Sequence, residues 1–307
     1  MVGLSRVAVV GATGCVGRQV CAALSRQGHG VRAIARNPAP HLSHHRFLAA
    51  DITATDARTL AEVLTAERVD AVVNAAGGWG HTEEEMVYSH VRLVERLVEA
   101  LTLMKRTPRL VHLGSIHEYG PVAWGTLIDE SIETKPLTPY ARTKLAGSEV
   151  VLRAVREGTV DGIVLRAANM YGPHPPAESF PAALLRRLRK VAATDGVLEL
   201  SIADAKRDFI DVRDVADAVV RAVRVTKPEP VINVGRGEAM DMRELVALFV
   251  TTAGFPLEVM KVQDGPVSSK GGDWTRTEIR LARRVLGWSP TISPRESLRG
   301  MWEAADE

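Results

Sequence analysis

The chain has 307 residues, 46% of them apolar, which is enough to bury a core either as one large α/β unit or as two domains. Its 39 basic and 37 acidic side chains give a formal charge of +2 and are spread along the chain, so no basic field indicates binding to nucleic acid or to an anionic membrane. No apolar run reaches the length that spans a bilayer.

The composition also bears on where the protein works. Only Cys15 and Cys21 are present, and both fall in the first predicted helix, which argues against a disulfide framework and for a reducing compartment. The N-terminal residues lead directly into a strand and show no pattern of a cleavable targeting segment. We therefore expect a cytoplasmic protein.

Short β-branched runs alternate with helical patterns through the first half of the chain. This alternation is typical of an α/β fold in which a doubly wound parallel sheet carries helices on both faces. A first helix is predicted between the first two strands, with Gly28 at its end, and a second at 211–224, where the Asp211 carboxylate can accept from backbone N–H groups. The predicted strands are 6–10, 30–35, 46–50, 71–74, 109–113 and 162–165.

Proline and glycine interrupt the second half, which predicts shorter elements and longer loops there. Residues 1–166 and 207–235 are predicted to form a dinucleotide-binding domain. Residues 167–206 and 236–307 are predicted to form a smaller, discontinuous substrate-binding lobe over the carboxyl ends of the strands.

A predicted helix over residues 82–105 carries two apolar stripes, more than one face of a sheet requires. One stripe could meet a second copy of the chain, and we expect a homodimer on this ground. A helix wedged between the sheet and neighbouring loops explains the pattern equally well.

The first strand runs into a glycine-rich turn that precedes the first helix. Glycines three residues apart permit a tight turn, the approach of a pyrophosphate to backbone N–H groups, and close packing of helix on strand. This position at the start of a βαβ unit predicts a dinucleotide site. The turn residues assigned to it are Gly11, Thr13, Gly14, Cys15, Val16 and Gly17.

The end of the second strand bears on which dinucleotide binds. A carboxylate there would accept from a ribose 2′-hydroxyl and repel a 2′-phosphate, but the chain has Arg36 and Asn37 instead. Arginine can form a fork with phosphate, so NADP(H) is favoured and NAD(H) remains possible; a solvated loop arginine is the alternative interpretation of Arg36. Asp51 and Ile52 are predicted beside the adenine. Small residues that let the backbone pass close to the cofactor are Ala75, Ala76 and Gly77.

Tyr140 and Lys144 are four residues apart at the start of a predicted helix, which places phenol and ammonium on one face. A neighbouring cation that favours the phenolate would lower the pKa of the phenol and make it a proton donor usable near neutral pH. Ser115 follows an apolar strand. Each of the three has an ordinary structural explanation by itself, but their order after a glycine turn predicts a site for reversible carbonyl reduction.

With these motifs, the chain resembles the extended short-chain dehydrogenases/reductases, in the branch of NAD(P)-dependent nucleotide-sugar epimerases, dehydratases and reductases. The resemblance covers nearly the whole chain and implies a Rossmann-like fold. Its motifs are Gly-x-x-Gly-x-x-Gly at 11–17, Asn-Ala-Ala-Gly at 74–77, Ser-Ile-His-Glu-Tyr-Gly at 115–120, Pro-Tyr-Ala-Arg-Thr-Lys at 139–144, Leu-Arg-Ala-Ala-Asn-Met-Tyr-Gly-Pro at 165–173, Arg-Asp-Phe-Ile-Asp-Val at 207–212 and Leu-Gly-Trp-Ser-Pro at 286–290.

The resemblance implies roles for the site residues. Tyr140 would protonate the substrate carbonyl oxygen, Lys144 would bind the ribose hydroxyls, and Ser115 would hydrogen-bond the same carbonyl. Tyr140 and Lys144 therefore also count as cofactor-binding residues. Asn169 and Arg207 match the residues that hold the substrate diphosphate, and Lys270 stands where the family has a further arginine.

The choice of reaction depends on the residues after Ser115. Similar dehydratases have an Asp-Glu pair there, whereas this chain has Ile116 and His117, and an apolar side chain cannot transfer a proton. His117 could reach the substrate, but a histidine that packs in a helix or loop is the favoured interpretation. NADPH-dependent reduction of a ketone on an NDP-activated sugar, at C4 of a dTDP-4-keto-6-deoxy sugar, is therefore favoured. An NAD-retaining nucleotide-sugar 4-epimerase is the alternative, and a non-catalytic dinucleotide-sensing protein a minor one. No metal site is predicted.

Overall fold

The computed structural model describes residues 5–78, 80–194, 196–263 and 272–306. Its strands are β1 (Arg6–Val10), β2 (Gly30–Ala35), β3 (Arg46–Ala49), β4 (Ala71–Asn74), β5 (Arg109–Ser115), β6 (Gly162–Ala167), β7 (Asn169–Tyr171), β8 (Leu198–Leu200), β9 (Lys206–Arg207), β10 (Phe209–Asp211), β11 (Val231–Val234), β12 (Met240–Asp241) and β13 (Met260–Val262). Seven of them form one parallel sheet in the order β11-β6-β5-β4-β1-β2-β3.

Helices connect these strands. They are α1 (Cys15–Arg26), α2 (Ala57–Ala66), α3 (Glu83–Val87), α4 (Leu93–Thr102), α5 (Pro139–Arg156), α6 (Phe180–Thr194), α7 (Val212–Arg224), α8 (Met242–Thr252), α9 (Arg280–Leu286) and α10 (Pro294–Glu303). A π-helical segment, Tyr88–Arg92, joins α3 to α4, and short 3-10 turns lie at Pro40–Leu42, Ile116–Tyr119, Leu257–Val259 and Ala304–Asp306. No helix among the described residues is long and apolar enough to cross a membrane.

The fold class predicted from the alternating pattern is confirmed: the sheet is parallel and covered by helices on both faces. One face packs against α1 and α7, and the core between them includes Val7 and Val9 of the sheet and Val219 of α7. The other face packs against α2, α4 and α5, and the core there includes Val72 of the sheet, Leu97 of α4 and Val151 of α5. Successive strand residues point to opposite faces, and β-branched side chains fill both.

Several predicted boundaries need correction. The third strand ends at Ala49 and not at residue 50, while β5 and β6 extend two residues beyond their predicted ends, to Ser115 and Ala167. A seventh strand, β11, was not predicted, because the run that forms it is only four residues long and follows a proline-rich loop. The helix predicted at 211–224 is confirmed, and the Asp211 side chain accepts from the backbone N–H of Arg213.

A separate apolar cluster lies outside the sheet. It gathers side chains of α6, α8 and α10, among them Leu188, Phe249 and Met301, and the paired strands β8 and β13 border it. The helix α9 is not part of this cluster. Its residues Ala282 and Leu286 pack into the core on the α1 and α7 face of the sheet. The exact limits of a substrate-binding lobe remain a prediction.

The helix predicted over 82–105 is interrupted by the π-helical segment and ends at Thr102. Residues of both predicted stripes are buried within one chain, including Val94, Leu97 and Leu101. Contacts of α4 with α2 and α5 account for this burial, so the stripes do not require a partner subunit. The homodimer remains a prediction.

Candidate active site

The predicted catalytic and cofactor residues meet at one edge of the sheet. Parallel strands present their carboxyl ends together, so the residues that follow β1, β4, β5 and β6 lie side by side. Gly11 follows β1, Ala75 follows β4, Ser115 is the last residue of β5, and Asn169 comes two residues after β6. The backbone N–H of Ala75 donates to the carbonyl of Val10 across this edge.

The glycine turn is too tightly packed for larger residues. A Cβ at Gly11 would lie 2.6 Å from the backbone nitrogen of Ala76, and Gly11 has a positive φ of 77°. A Cβ at Gly17 would lie 2.1 Å from the carbonyl oxygen of Gly11. The turn therefore brings the start of α1 directly against the strand edge.

The N-terminus of α1 suits an anion. Its N-cap is Gly14, no side chain of the described residues caps it, and no acidic residue lies in its first turn. The helices α2, α5 and α7, by contrast, are each capped by a side chain. Free N–H groups and the positive end of the helix dipole favour a diphosphate at α1. Burial raises the pKa of the Cys15 thiol to about 12, so that residue packs as a neutral group.

A cleft of about 880 Å³ opens from this turn along the ends of β1, β2 and β4. A Cβ at Gly77 would lie 2.8 Å from the His90 ring, so the cleft wall passes tightly over that histidine. The predicted cofactor residues that line the cleft are Gly11, Thr13, Arg36, Asp51, Ile52, Ala76 and Gly77. Its residues not foreseen from the sequence include Thr53, Thr82, Glu84, Glu85, Tyr88 and Ser89.

The end of the cleft beside β2 carries charges of both signs. Arg36 is exposed and lines it, whereas Asn37 is exposed and is not among the lining residues. Asp51 accepts from the backbone N–H of Thr53 at 3.0 Å, and the Tyr88 hydroxyl is hydrogen-bonded to the Asp51 side chain. Arg36 acts electrostatically on Tyr88, so these three side chains share one corner of the cleft.

The helix α5 carries the predicted catalytic pair, Tyr140 and Lys144. Thr138 caps it by accepting from the backbone N–H of Ala141, and Pro139 occupies its first turn, where no intrahelical donor is needed. Tyr140 is partly buried and its hydroxyl is hydrogen-bonded to that of Ser115. Lys144 is only 3% exposed, and its ammonium donates to the carbonyl of Leu113 on β5. The three predicted catalytic residues are therefore together.

The lowered pKa expected for Tyr140 is not found. Burial raises the pKa of Tyr140 to about 12, although the hydrogen bond from Ser115 opposes this. Burial also lowers the pKa of Lys144 to about 8, partly offset by the charge of Glu118. Loss of hydration outweighs the attraction between neighbouring groups, so the phenol stays protonated at neutral pH.

His117 connects the catalytic pair to the predicted diphosphate residues. Its ring lies 6.2 Å from that of Tyr140, centroid to centroid, and its Nε2 is 3.2 Å from Oδ1 of Asn169. Burial and the nearby Arg207 guanidinium lower the pKa of His117 to about 4, so it is neutral and donates from Nε2. Arg207 also donates to the carbonyl of Gly272. Lys270 lies outside the described residues.

Two buried residues of the site were not foreseen. Glu118 is fully buried beneath Ser115, and the pattern Ser-x-x-Glu at 115–118, a capping-box signature, was the signal that could have found it. His90 is buried in the π-helical segment, where Nδ1 is 2.8 Å from the Thr143 hydroxyl and Nε2 is 2.9 Å from the Gly78 carbonyl. No local pattern marks His90, because its partners come from distant segments.

A parallel sheet with a glycine turn, an uncapped helix and a Ser-Tyr-Lys group at one edge defines a Rossmann-type protein equipped to bind a dinucleotide. The model of the NAD dependent epimerase/dehydratase family matches residues 7–235, and the chain belongs to this family.

Relatives agree with this assignment. The chain is 39% identical over 303 residues to dTDP-6-deoxy-L-talose 4-dehydrogenase (NAD(P)(+)) of Kitasatospora kifunensis, covering 98% of this chain and 95% of the relative. It is 31% identical over 219 residues to GDP-6-deoxy-D-mannose reductase of Pseudomonas aeruginosa, covering 68% and 70%. The structure of MoeE5 with UDP-glucuronic acid and NAD aligns with a TM-score of 0.82 at 26% identity, covering 98% and 99%. The protein is thus an NAD(P)-dependent enzyme of the nucleotide-sugar oxidoreductase and epimerase type.

Proposed function

We propose that the protein reduces the ketone of an NDP-activated sugar with NADPH, at C4 of a dTDP-4-keto-6-deoxy sugar. The observation that carries this proposal is the group of Ser115, Tyr140 and His117 at the sheet edge, in which a protonated phenol is hydrogen-bonded to a hydroxyl and no carboxylate stands at positions 116 and 117. The relative from Kitasatospora kifunensis is named for dehydrogenation at C4 of a dTDP-6-deoxy sugar, which is the reverse of this reduction.

The cofactor is proposed to lie in the cleft along β1, β2 and β4. The backbone N–H groups of Cys15, Val16 and Gly17, in the first turn of α1, have no side-chain cap among the described residues and can donate to its diphosphate. Arg36 is exposed after β2 and lines the cleft, and its guanidinium could pair with a 2′-phosphate, which supports NADPH over NADH. When bound, the dinucleotide supplies the hydride that reduction requires.

The residues of the chain supply the proton and the orientation. A phenol with a pKa of about 12 is protonated at neutral pH, so Tyr140 carries the proton that the new hydroxyl needs. Ser115 donates to the carbonyl oxygen and stabilises the charge that develops there. The Lys144 ammonium, held by the Leu113 carbonyl, is proposed to bind the ribose hydroxyls and to stabilise the phenolate that Tyr140 becomes.

Neighbouring side chains are proposed to hold the substrate. Asn169 and Arg207 offer an amide and a guanidinium that suit a nucleotide diphosphate, and Lys270 is proposed as a third contact. His117 lies between Tyr140 and Asn169, and its ring is neutral at pH 7, so it can hydrogen-bond the sugar without adding charge to the site.

The test is the oxidation of NADPH by purified protein with a panel of NDP-ketosugars, together with Tyr140→Phe. We expect ketone-dependent oxidation with wild type and a loss of about 10²- to 10⁴-fold in kcat for the variant, because proton donation is removed. Tyr171→Phe is the matched control, since its buried hydroxyl has no partner among the described residues.

Two outcomes would contradict the reductase. Full activity of Tyr140→Phe would show that another group donates the proton. Interconversion of 4-epimers by protein that retains NAD, with no net consumption of NADPH, would establish the epimerase instead. The similarity to the UDP-glucose 4-epimerase of Mycolicibacterium smegmatis is the reason for testing this alternative.

A further inference from the structure

A buried carboxylate lies directly beneath the catalytic group. Glu118 is 0% exposed, and both of its oxygens are occupied. Oε1 accepts from the backbone N–H of Ser115 at 2.7 Å and from the Ser148 hydroxyl at 2.9 Å. Oε2 accepts from Nε of Arg166 at 2.8 Å. The carboxylate is therefore hydrogen-bonded to residues of β5, α5 and β6.

These contacts fix the residue in space. Glu118 lies in the 3-10 turn that follows Ser115, and the two form a reciprocal capping box. A Cβ at Gly114 would lie 2.7 Å from Oε1, so the strand passes close over the carboxylate. Buried hydrogen bonds to a charged group are strong and leave little freedom. The backbone of Ser115 is consequently held in one position at the end of β5.

The same carboxylate lies close to Lys144. Ser148, which donates to Glu118, is one helical turn after Lys144 on α5. The Lys144 ammonium donates to the Leu113 carbonyl, and the next residue, Gly114, adjoins Oε1 of Glu118.

Burial lowers the pKa of Lys144 and the charge of Glu118 raises it, with about 8 as the result. Burial also lowers the pKa values of His90 and His112, so both rings near Lys144 are neutral at pH 7.

The remaining groups facing Lys144 add no negative charge. Tyr140 is protonated, and Arg166 is positively charged and bound to Glu118. Among the described groups that act on Lys144, Glu118 is therefore the one anion.

We propose that Glu118 is a positioning residue for the reduction inferred above, holding Ser115 through its backbone N–H and keeping the ammonium of Lys144 charged. The inference rests on the proposed roles of Ser115 and Lys144. A purely structural carboxylate would serve only the ion pair with Arg166 and the turn, and its removal would leave the ionisation of Lys144 unchanged.

The experiment is a pH titration of the lysine ε-carbon by NMR in full-length protein without substrate. Glu118→Gln keeps an oxygen that accepts from Ser115 and removes the charge. We expect the Lys144 midpoint, about 8 in wild type, to fall by at least about one pH unit, a tenfold change in its acid dissociation constant. Lys144→Met identifies the signal by its absence.

Glu130→Gln is the matched control. Its carboxylate is partly buried and accepts from the backbone N–H of Asn233. It is not among the groups that act on Lys144, so the Lys144 midpoint should stay within about 0.3 pH units of wild type. An equal shift in both Glu→Gln variants, or none in Glu118→Gln, overturns the proposal.

Loss of Glu118 leaves Arg166 buried without its partner, which could prevent folding. The double variant Glu118→Gln with Arg166→Met removes both charges of the pair. If a shift in the single variant comes only from the unpaired charge of Arg166, the double variant restores the wild-type midpoint and the proposal is overturned. If the proposal is right, the Lys144 midpoint stays below that of wild type, though by less than in the single variant.

Activity supplies the second measurement. In the pH profile of kcat, the alkaline decline that follows loss of the Lys144 charge should move to lower pH in Glu118→Gln by the same amount as the titration. If the Lys144 midpoint falls in Glu118→Gln but the pH profile of kcat stays where it is in wild type, the catalytic part of the proposal is overturned. Since the titration needs no substrate, its result stands apart from that of Tyr140→Phe, which decides the proposed reaction.

Discussion

At the scale of single residues, the proposed preference for NADPH depends on a few side chains at one end of the cleft. Arg36 is exposed at the end of β2 and acts on Tyr88, while Asp51 holds the Tyr88 hydroxyl. The corner thus offers one guanidinium close to a carboxylate that is already hydrogen-bonded. A 2′-phosphate can pair with the guanidinium, whereas a 2′-hydroxyl gains little from it.

Arg36→Ala should therefore change the cofactor preference. We expect NADPH binding to weaken by about 10- to 100-fold, because a hydrogen bond to a charged group contributes about 1.5–3 kcal/mol, and NADH binding to change by less than about twofold. Fluorescence titration of both cofactors measures this. Arg46→Ala is the control, because Arg46 is an exposed arginine at the amino-terminal end of β3, at the opposite edge of the sheet from the cleft. Equal weakening of both cofactors would refute the role of Arg36.

Residue chemistry by itself was misleading for Tyr140. Four-residue spacing on a helix placed the phenol near Lys144, as expected, but the sign of the pKa change was decided by burial. Burial disfavours the charged form of each group, and it affects an acid and a base in opposite directions. The amount of burial depends on which segments cover the helix, and spacing does not contain that information.

At the scale of elements, the contact with the π-helical segment fixes the position of α5 relative to the wall of the cleft. His90 bonds Thr143 on one side and the Gly78 carbonyl on the other, so the segment joins the cleft wall to α5. π-helical turns are rare and concentrate at functional sites. Close approach requires Gly147, where a Cβ would lie 2.0 Å from the backbone oxygen of His90.

Gly147→Ala should destabilise the protein despite the higher helix propensity of alanine. The clash is with backbone, which cannot rotate away, so we expect a net loss of about 1–3 kcal/mol in the free energy of unfolding. Chemical denaturation measures it. Gly30→Ala is the control, since the nearest atom to its Cβ would be a side-chain carbon 3.6 Å away. If Gly147→Ala is as stable as wild type, the packing described for α5 is wrong.

At the scale of the whole molecule, Asp214 of α7 fixes the C-terminal segment to the sheet. Its carboxylate is 3% exposed and accepts from the backbone N–H groups of Thr291 and Ile292. Its backbone carbonyl accepts from the Trp288 indole, a side chain buried on the α1 and α7 face of the sheet. The last helix, α10, follows directly, and its Ser297 bonds Asp211.

Asp214→Ala should therefore weaken the whole fold and not only its end. Buried donors left without an acceptor cost about 1–3 kcal/mol, and we expect a loss of that size in the free energy of unfolding. Asp217→Ala is the control. Asp217 lies on the exposed side of α7 and pairs with Arg221, so its loss should lower the free energy of unfolding by less than about 1 kcal/mol. Equal stability of the two variants would contradict the anchoring role.

The sequence by itself determined the parallel sheet, the glycine turn, the placement of Tyr140 and Lys144 one turn apart on a helix, and the Asp211 cap, because each depends on residues close together in the chain. Strand alternation, turn glycines and helical spacing are local patterns. Only the tertiary structure decided the pKa of Tyr140, the burial of Glu118 between β5, α5 and β6, and the meeting of His90 with Thr143. These depend on segments distant in sequence, and desolvation and hydrogen bonding there are set by what packs against the residue.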